Sequence, residues 1–476
     1  MCKKVLGGFL CISLFMLFAA VPTFAQKGKV RPTVWDVYPA MDRLQIQAFV
    51  NSASDGDTIY FHAGTYDWSG APINPSNSSE GAISIIEKTL TILGEPGNMI
   101  TGPNSQTIDG QPWGLNAFHF LDEDTNNDVT FMGLNIQHFM RGIVVGHNIW
   151  TLPNVLQYDV WNARNVTIKN CTISDLTRQA IAITNPTGNV SIENNILSQA
   201  GRAAIWFTYR GPAFAYSQPD KSKVNIRGNT ITDSFPLGLY LEKTKNFRIE
   251  NNEIRILGPA TEYSVGINIY AENEGTVISG NSVSNYRYGI WGRASSESYP
   301  AENMIIINNK VSCVSPVDGW CYGIVLDVDF SSGHTVVGNE INLTSTGGVG
   351  IYSEVNHSLY SLNKISGSGR CAVEITGWVY SPEPGPVYAH HELFLANDVS
   401  QFTPSEAHYY LENGTHDNEI VGSWTSPWTY KDYGINNLII GGTNITFASF
   451  QALSAVSAVR QKPGDDLRDA KKNIMF

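Results

Sequence analysis

The fold is decided by a repeat that reads Val166-Thr-Ile-Lys-Asn-Cys-Thr-Ile173, then Val190-Ser-Ile-Glu-Asn-Asn-Ile-Leu197, and then Val224-Asn-Ile-Arg-Gly-Asn-Thr-Ile231. Each copy has a short run of alternating apolar residues, a turn of Gly or Asn, and a second apolar residue. Alternation of this kind predicts a strand, and Gly and Asn are the residues that accept the left-handed backbone of a tight turn. The repeat therefore predicts strand–turn–strand units stacked along the chain.

One position of the turn holds Asn in nine of ten aligned repeats. Aligned on the turn, this position holds Cys171, Asn195, Asn229, Asn252, Asn281, Asn309, Asn339, Asn363, Asn397 and Asn418. The spacing varies from 21 to 34 residues, which helical repeats do not tolerate but a solenoid of strands accommodates as loops. Stacked coils lie about 4.8 Å apart, so that inward-facing Asn side chains can hydrogen-bond from one coil to the next.

A second strand follows each turn and begins with a small residue and an aliphatic one. These pairs are Ala180-Ile181, Ala204-Ile205, Gly238-Leu239, Gly266-Ile267, Gly289-Ile290, Gly323-Ile324, Gly350-Ile351 and Ala372-Val373. Each repeat thus contributes at least two strands to two parallel sheets. Upstream, Ile46–Val50 has the pattern of an amphipathic helix, which would cap the open end of the solenoid.

From about Val129 to Ile445 these repeats resemble the pectate-lyase-like superfamily of right-handed parallel β-helices. The resemblance implies an all-β, single-stranded solenoid of about a dozen coils, with an N-terminal cap helix and a C-terminal closing segment. It does not imply one activity, because the superfamily includes lyases, glycoside hydrolases, epimerases, esterases and adhesins. The sequence lacks the Asn-Thr-Asp, Gly-His-Gly and Asp-Pro-His signatures of these enzymes, so no residue role is transferred.

The chain divides into three segments by pattern. Residues 1–25 combine Lys3 and Lys4, an apolar run from Val5 to Ala20 and a small residue at Ala25, which predicts a signal peptide. Residues 26–446 form the β-helix with its cap, and residues 447–476 form a C-terminal cap. We therefore expect a secreted, periplasmic or cell-surface protein that does not insert into a membrane after cleavage; the oligomeric state is left open.

Net charge and cysteine spacing limit the partners. Without residues 1–25 the chain has 29 basic and 43 acidic side chains, a balance of −14 that disfavours nucleic acid and anionic membranes. Cys313 and Cys321 are spaced for a local disulfide, although two thiols fit the pattern equally well. No Cys/His set has the spacing of a structural zinc site.

Strand alternation assigns two columns of side chains to the outer face of the second strand. The first column is Ala182, Trp206, Tyr240, Asn268, Trp291, Val325, Tyr352 and Glu374; the second is Thr184, Thr208, Glu242, Tyr270, Arg293, Asp327, Glu354 and Thr376. We expect these residues to face solvent. Exposed aromatic rings beside carboxylates and an arginine are typical of a sugar-binding groove, because rings stack on sugars and charged groups bind hydroxyls.

The column predicts a polysaccharide partner, with Trp206, Tyr240, Tyr270, Trp291, Tyr352 and Glu374 as binding residues. Asp327 and Glu354 fall on adjacent coils, at a spacing compatible with the ~5–5.5 Å between the carboxyl groups of a retaining glycosidase. Arg293 and Glu242 complete the predicted catalytic set.

A glycoside hydrolase acting on a neutral or weakly acidic glycan is favoured, and two alternatives remain open. In a polysaccharide lyase, Asp327 and Asp329 would hold Ca²⁺, the one candidate cofactor. In a carbohydrate-binding or adhesin scaffold, the same aromatic column would bind without turnover.

Overall fold

A computed structural model describes residues 31–72, 81–104, 106–108, 111–146, 161–209, 222–260, 263–294, 300–314, 316, 319–327, 331–376, 389–422 and 427–444. Four expectations lie outside these residues: the signal peptide, the C-terminal cap from 447 to 476, the role of Asp329, and the end of the solenoid at Ile445.

The first sheet contains fifteen parallel strands, one from each coil, so the described solenoid slightly exceeds a dozen coils. Its strands are Val34–Val37, Thr58–Phe61, Leu90–Gly94, Asp128–Met132, Asn165–Lys169, Val190–Glu193, Val224–Arg227, Arg248–Glu250, Val277–Ser279, Ile305–Ile307, Thr335–Val337, Leu359–Ser361, Leu393–Leu395, Glu419–Val421 and Leu438–Ile440. β-Branched residues dominate these strands, which suits a pleated surface buried on one side.

Most repeats contribute three strands, so each coil has three faces: a strand that directly follows the turn forms the second sheet, and the predicted second strand forms the third. The second sheet contains Gly64–Asp67, Asn98–Thr101, Asn135–Gln137, Thr172–Leu176, Ile196–Ala200, Thr230–Thr232, Glu253–Arg255, Ser282–Ser284, Lys310–Val314 and Glu340–Thr344. The third contains Gly81–Ile86, Asn116–Leu121, Arg141–Val145, Gln179–Thr184, Ala203–Thr208, Leu237–Lys245, Val265–Glu274, Tyr288–Arg293, Tyr322–Asp327, Val349–Ser353, Thr429–Asp432 and Thr443–Asn444.

A few strands depart from this plan. Lys364–Ile375 and Asp398–Leu411 run through both the second and the third sheet. Ala301–Glu302 and Ser331–Ser332 extend the third sheet beside the end of Val265–Glu274. Gln106–Ile108 and Gln111–Trp113 form an antiparallel hairpin. The other pairings that build the three sheets are parallel, and the architecture is the right-handed parallel β-helix that the repeats predict.

The predicted N-terminal helix spans Arg43–Ser52 and covers the first coils. Asp42 and Gln45 form a capping box that satisfies the free N–H groups at its start. Ile46 and Val50 are buried, and Arg43 donates to the carbonyl oxygen of Ala82 at 3.0 Å, on the first strand of the third sheet. The helix therefore protects a sheet edge that would otherwise pair with another chain.

The interior is aliphatic and follows the predicted alternation. The inward-facing aliphatic and aromatic positions predicted for the third sheet are fully buried: Ile181, Ile183, Ile205, Phe207, Leu239, Leu241, Ile267, Ile269, Ile324, Leu326, Val373 and Ile375. The four described cysteines, Cys171, Cys313, Cys321 and Cys371, are buried thiols, so Cys313 and Cys321 form no bridge. Among the described residues, no helix is long and apolar enough to cross a bilayer.

The asparagine ladder is continuous from Asn195 to Asn397. In its middle, the Asn309 side-chain amide donates to the carbonyl oxygen of Ile278 at 2.9 Å and to Oδ1 of Asn339 at 3.0 Å. The assignment of Asn418 to this ladder is wrong. Asn418 precedes its first-sheet strand instead of following it, and it donates to Oδ1 of Asn437 at 3.1 Å in a separate column.

Candidate functional site

The outer face of the third sheet carries the two predicted columns in the predicted register. Trp206 pairs with Tyr240, and Tyr352 pairs with Glu374. In the second column, Glu242 pairs with Tyr270, which pairs with Arg293, the partner of Asp327. The side-by-side order of the candidate residues is therefore confirmed.

The prediction that these columns face open solvent is wrong for most of their members. Trp206, Tyr240, Trp291, Tyr352, Glu242, Asp327, Glu354 and Glu374 are all buried, with exposures from 0% for Trp291 to 8% for Tyr240. Tyr270 and Arg293 are partly exposed. Alternation identifies the face on which a side chain lies, but the connections between coils decide whether that face is open, and alternation contains no information about them.

The aromatic residues pack into a second apolar cluster, outside the interior of the coil. Trp206 and Tyr240 stack with ring centroids 4.0 Å apart and an angle of 22°. Tyr288 and Tyr322 stack at 5.1 Å and 11°. Sequence reasoning missed the last two residues, although each immediately precedes the small residue of its repeat, Gly289 or Gly323. That position is a third outward column.

Asp327 and Glu354 lie on adjacent coils, as predicted. Their preceding residues, Leu326 and Ser353, are register partners, and the backbone N–H of Glu354 donates to the carbonyl oxygen of Leu326 at 2.9 Å. Burial, followed by the charges of Glu354 and Asp327, raises the pKa of the Tyr352 phenol well above its usual value. The two carboxylates and this protonated phenol thus share one buried region of the face.

Glu242 is separated from that pair. Its Oε2 accepts hydrogen bonds from Thr208 Oγ1 at 3.2 Å and from the Tyr240 hydroxyl at 3.3 Å. Three coil steps separate Glu242 from Asp327, or about 14 Å at the usual strand spacing. Glu242 is therefore too distant to act on the same bond as Asp327 and Glu354.

Arg293 and Glu374 border the acid pair on opposite sides. The Arg293 guanidinium lies 5.2 Å from the ring centroids of both Tyr270 and Trp291, which are favourable cation–π distances. Glu374 forms a buried ion pair with Arg370. Its carboxylate is thus already held by a cation, which weakens its case as a direct sugar ligand.

Sequence reasoning also missed a column of arginines at the edge of this face. Arg178, Arg202, Arg287 and Arg370 each stand one residue before the third outward column, and all are buried. Arg141, one coil earlier than Arg178, is 1% exposed. Burial, followed by the charges of Arg178 and Arg202, lowers the pKa of Arg141 well below its usual value. Like charges held together in this way favour an anionic group.

The predicted calcium site at Asp327 and Asp329 is not tested, because Asp329 lies outside the described residues. Among the residues that the structure describes, three ligand atoms that could hold a metal ion come together in His357, His390 and His391.

Comparison with known proteins identifies the fold. The family described as "Right handed beta helix region" matches residues 214–365. The A-module of a mannuronan C-5 epimerase from Azotobacter vinelandii superposes with a TM-score of 0.51 at 15% identity, covering 86% of this chain and 99% of that one. The protein is thus a right-handed parallel β-helix protein. No curated protein sequence matches the chain.

Two further structures have TM-scores below 0.5. An alginate lyase from Paenibacillus sp. gives 0.44 at 13% identity, covering 65% of this chain and 95% of that one. A surface adhesin of Streptococcus pneumoniae gives 0.41 at 15% identity, covering 85% of this chain and 88% of that one.

Proposed function

We propose that this protein binds and cleaves a polysaccharide on the outer face of the third sheet. The observation that carries the proposal is the placement of Asp327 and Glu354 on adjacent coils, next to stacked aromatic rings. Buried carboxylates are costly to a fold, so two of them on one face of a sheet favour a functional role. The epimerase module with which the chain shares its fold is named for mannuronan, a polysaccharide, and this supports the substrate class.

The favoured reaction is hydrolysis by the two carboxylates. Adjacent coils lie about 4.8 Å apart, which is compatible with the ~5–5.5 Å carboxyl separation of a retaining glycosidase. One carboxyl group would protonate the leaving oxygen while the other attacks the anomeric carbon; the first, now a carboxylate, would then take a proton from the water that releases the sugar from the enzyme. Burial would keep water away from the glycosyl intermediate until the leaving group departs.

The arginine column favours an acidic glycan over a neutral one. Arg202 lies with its guanidinium 4.9 Å from the ring centroid of Trp206, so a cation and a stacking surface adjoin each other. Guanidinium groups bind carboxylates and sulfates through paired N–H donors. This reverses the expectation drawn from net charge alone, because local arginines offset the overall charge of the chain.

β-Elimination is the second candidate, and a specific observation favours it. Arg293 is the register partner of Asp327, and a guanidinium beside a uronate carboxylate would stabilise the charge that develops when the neighbouring proton is removed. The two reactions differ in their products: hydrolysis yields reducing ends alone, whereas elimination also yields unsaturated uronates that absorb in the ultraviolet.

The test is to incubate the full chain with a panel of neutral and acidic polysaccharides and to follow both products. We expect Asp327→Asn and Glu354→Gln each to lower turnover at least ~100-fold. Glu340→Gln, which removes an exposed carboxylate from the second sheet, is the matched control and should retain wild-type turnover. Wild-type turnover in Asp327→Asn would refute the catalytic assignment, and retained binding without product would favour a scaffold.

A further inference from the structure

Four histidines from three successive coils converge at the corner between the third and the first sheet. His357 contributes one ring, His390 and His391 come from the next coil, and His416 comes from the coil after that. One ring nitrogen from each of His357, His390 and His391 lies within 4.8 Å of the others. We name these four residues the histidine corner.

The rings are arranged in layers. His357 and His391 stack with centroids 5.0 Å apart and an interplanar angle of 2°, and His390 and His416 stack at 5.0 Å and 14°. The two layers meet where Nδ1 of His390 faces Nδ1 of His391 at 2.7 Å. In neutral imidazoles this contact is an N–H···N hydrogen bond that either ring can donate, and a change of tautomer frees both Nδ1 atoms for another ligand.

The corner also includes a carboxylate. Asp417 Oδ2 lies 2.8 Å from Nδ1 of His416. Neutral imidazole rings whose nitrogens lie this close together can turn their lone pairs toward one divalent ion.

We propose that the histidine corner binds a divalent transition-metal ion such as Zn²⁺. His357, His390 and His391 would supply three nitrogen ligands, the number found in open zinc sites with a fourth position for water or another ligand. Zn–N bonds of about 2.0–2.1 Å would place the ligand nitrogens near 3.4 Å from one another, so the rings need only small shifts. His357 and His391 are exposed and His390 is partly so, which gives the ion access.

His416 and Asp417 have a supporting role in this site. The contact between Asp417 and Nδ1 of His416 directs the remaining ring nitrogen away from the carboxylate. Metal-binding histidines are commonly oriented by such a carboxylate. His416 therefore either completes the coordination or packs His390 into position through their stacked rings.

The site would clamp the corner that follows the proposed catalytic strand. Glu354 precedes His357 by only three residues, and the ion would join that coil to the next. An ion that binds only the folded chain stabilises it, so Tm should rise with the concentration of free ion. The metal site does not depend on the proposed polysaccharide activity.

The proposal is tested with the full chain and Zn²⁺ alone, by calorimetric titration and thermal unfolding. We expect one Zn²⁺ per chain, a rise in Tm, and at least a tenfold loss of affinity in His390→Ala and in His391→Gln. His62→Gln changes a histidine in the first coils and is the matched control, with wild-type affinity expected. The Co²⁺-loaded chain should show the strong visible absorption of a tetrahedral or five-coordinate nitrogen site.

Three outcomes would overturn the proposal. The first is wild-type Zn²⁺ affinity in both corner variants, and the second is an equal loss of affinity in His62→Gln, which would indicate dispersed surface binding. The third is X-ray absorption of the loaded chain that shows fewer than three nitrogen ligands. Circular dichroism of each variant verifies the fold, and the Co²⁺ spectrum of the wild type does not depend on any variant.

Discussion

Two stacked columns of polar side chains run along this solenoid. They differ in the partners that compensate their buried polar groups. In the ladder, Asn309 Oδ1 accepts from the backbone and side-chain N–H groups of Asn281, both at 2.9 Å, and its own amide donates onward to Asn339. The outer face of the third sheet instead buries charges such as Asp327, Glu354 and the arginine column.

The difference separates stability from function. A neutral amide is both donor and acceptor, so each copy satisfies the next and the column can be extended indefinitely. Side chains of like charge cannot satisfy one another in this way, and each buried charge opposes folding unless a partner compensates it, as Arg370 does for Glu374. We therefore expect that disrupting the ladder reduces stability, whereas neutralising charges on the outer face reduces function and can increase stability.

Removing one ladder amide should have the largest effect on stability. Asn309→Ala deletes four hydrogen bonds and leaves the buried N–H of Asn281 without its acceptor. An unsatisfied buried group costs ~1–3 kcal/mol, so we expect a loss of about 4 kcal/mol in the free energy of unfolding. Urea unfolding measures it, and Asn342→Ala, at an exposed strand position, should change little. Equal losses in both variants would contradict the comparison.

The buried ion pair of Arg370 and Glu374 tests the charged face. Arg370→Met leaves the Glu374 carboxylate buried without its cation, and we expect a loss of about 3 kcal/mol. The double variant Arg370→Met/Glu374→Leu removes both charges and should return to within ~1 kcal/mol of the wild type, because apolar replacements of buried pairs are often neutral. A double variant as unstable as the single one would show that the pair itself stabilises the fold.

The buried carboxyl group of Glu392 gives the third effect, a dependence of the free energy of unfolding on pH. Burial raises the pKa of this carboxyl group to about 8, although Ser353 and Tyr360 donate hydrogen bonds to it. Its folded pKa exceeds the ordinary 4.5, so its contribution is complete below pH 4.5 and is lost as pH rises through about 8. Glu392→Gln should remove this dependence, worth about 2 kcal/mol between pH 6.0 and 7.5. Glu419→Gln, at an exposed position, should retain it.

His334 gives the opposite pH dependence and lowers stability at acidic pH. Its Nδ1 accepts from the backbone N–H of Met304 at 3.2 Å, and burial lowers its pKa to about 3. Its contribution is therefore complete above the ordinary 6.5 and is lost as pH falls toward 3. His334 is present in both the wild type and Glu392→Gln, so its own pH dependence cancels when the two are compared between pH 6.0 and 7.5.

The sequence predicted the fold and the order of the outward columns because both follow from short-range periodicity. The ladder from Asn195 to Asn397, the register of Trp206 with Tyr240, and the helix around Ile46 all depend on spacing within a coil or between aligned coils. Asn418 was misplaced because its coil has Ser423 at the position that aligns with Asn397, so the alignment moved to the nearest Asn.

Burial and cross-coil clusters could not be predicted in the same way. The exposure of Asp327 and Glu354 depends on irregular connections that have no period. The histidine corner joins His357 to the pair His390 and His391, which begins 33 positions later, and rules based on local metal-ligand spacing do not detect such a separation. One signal was present: His357 and His391 each stand six residues before a ladder asparagine, Asn363 and Asn397.

The smallest effect is expected at the exposed charges of the second sheet. Lys310 Nζ lies 3.5 Å from Glu340 Oε2 on the neighbouring coil, and these side chains are 72% and 61% exposed. Water screens such a pair, so Lys310→Ala should change the free energy of unfolding by less than ~0.5 kcal/mol, even at low salt. Denaturant unfolding at two ionic strengths measures it. A loss approaching that of Arg370→Met would mean that charge pairs stabilise this solenoid wherever they lie. Burial would then not explain why charges on the third sheet affect the free energy of unfolding more than those elsewhere.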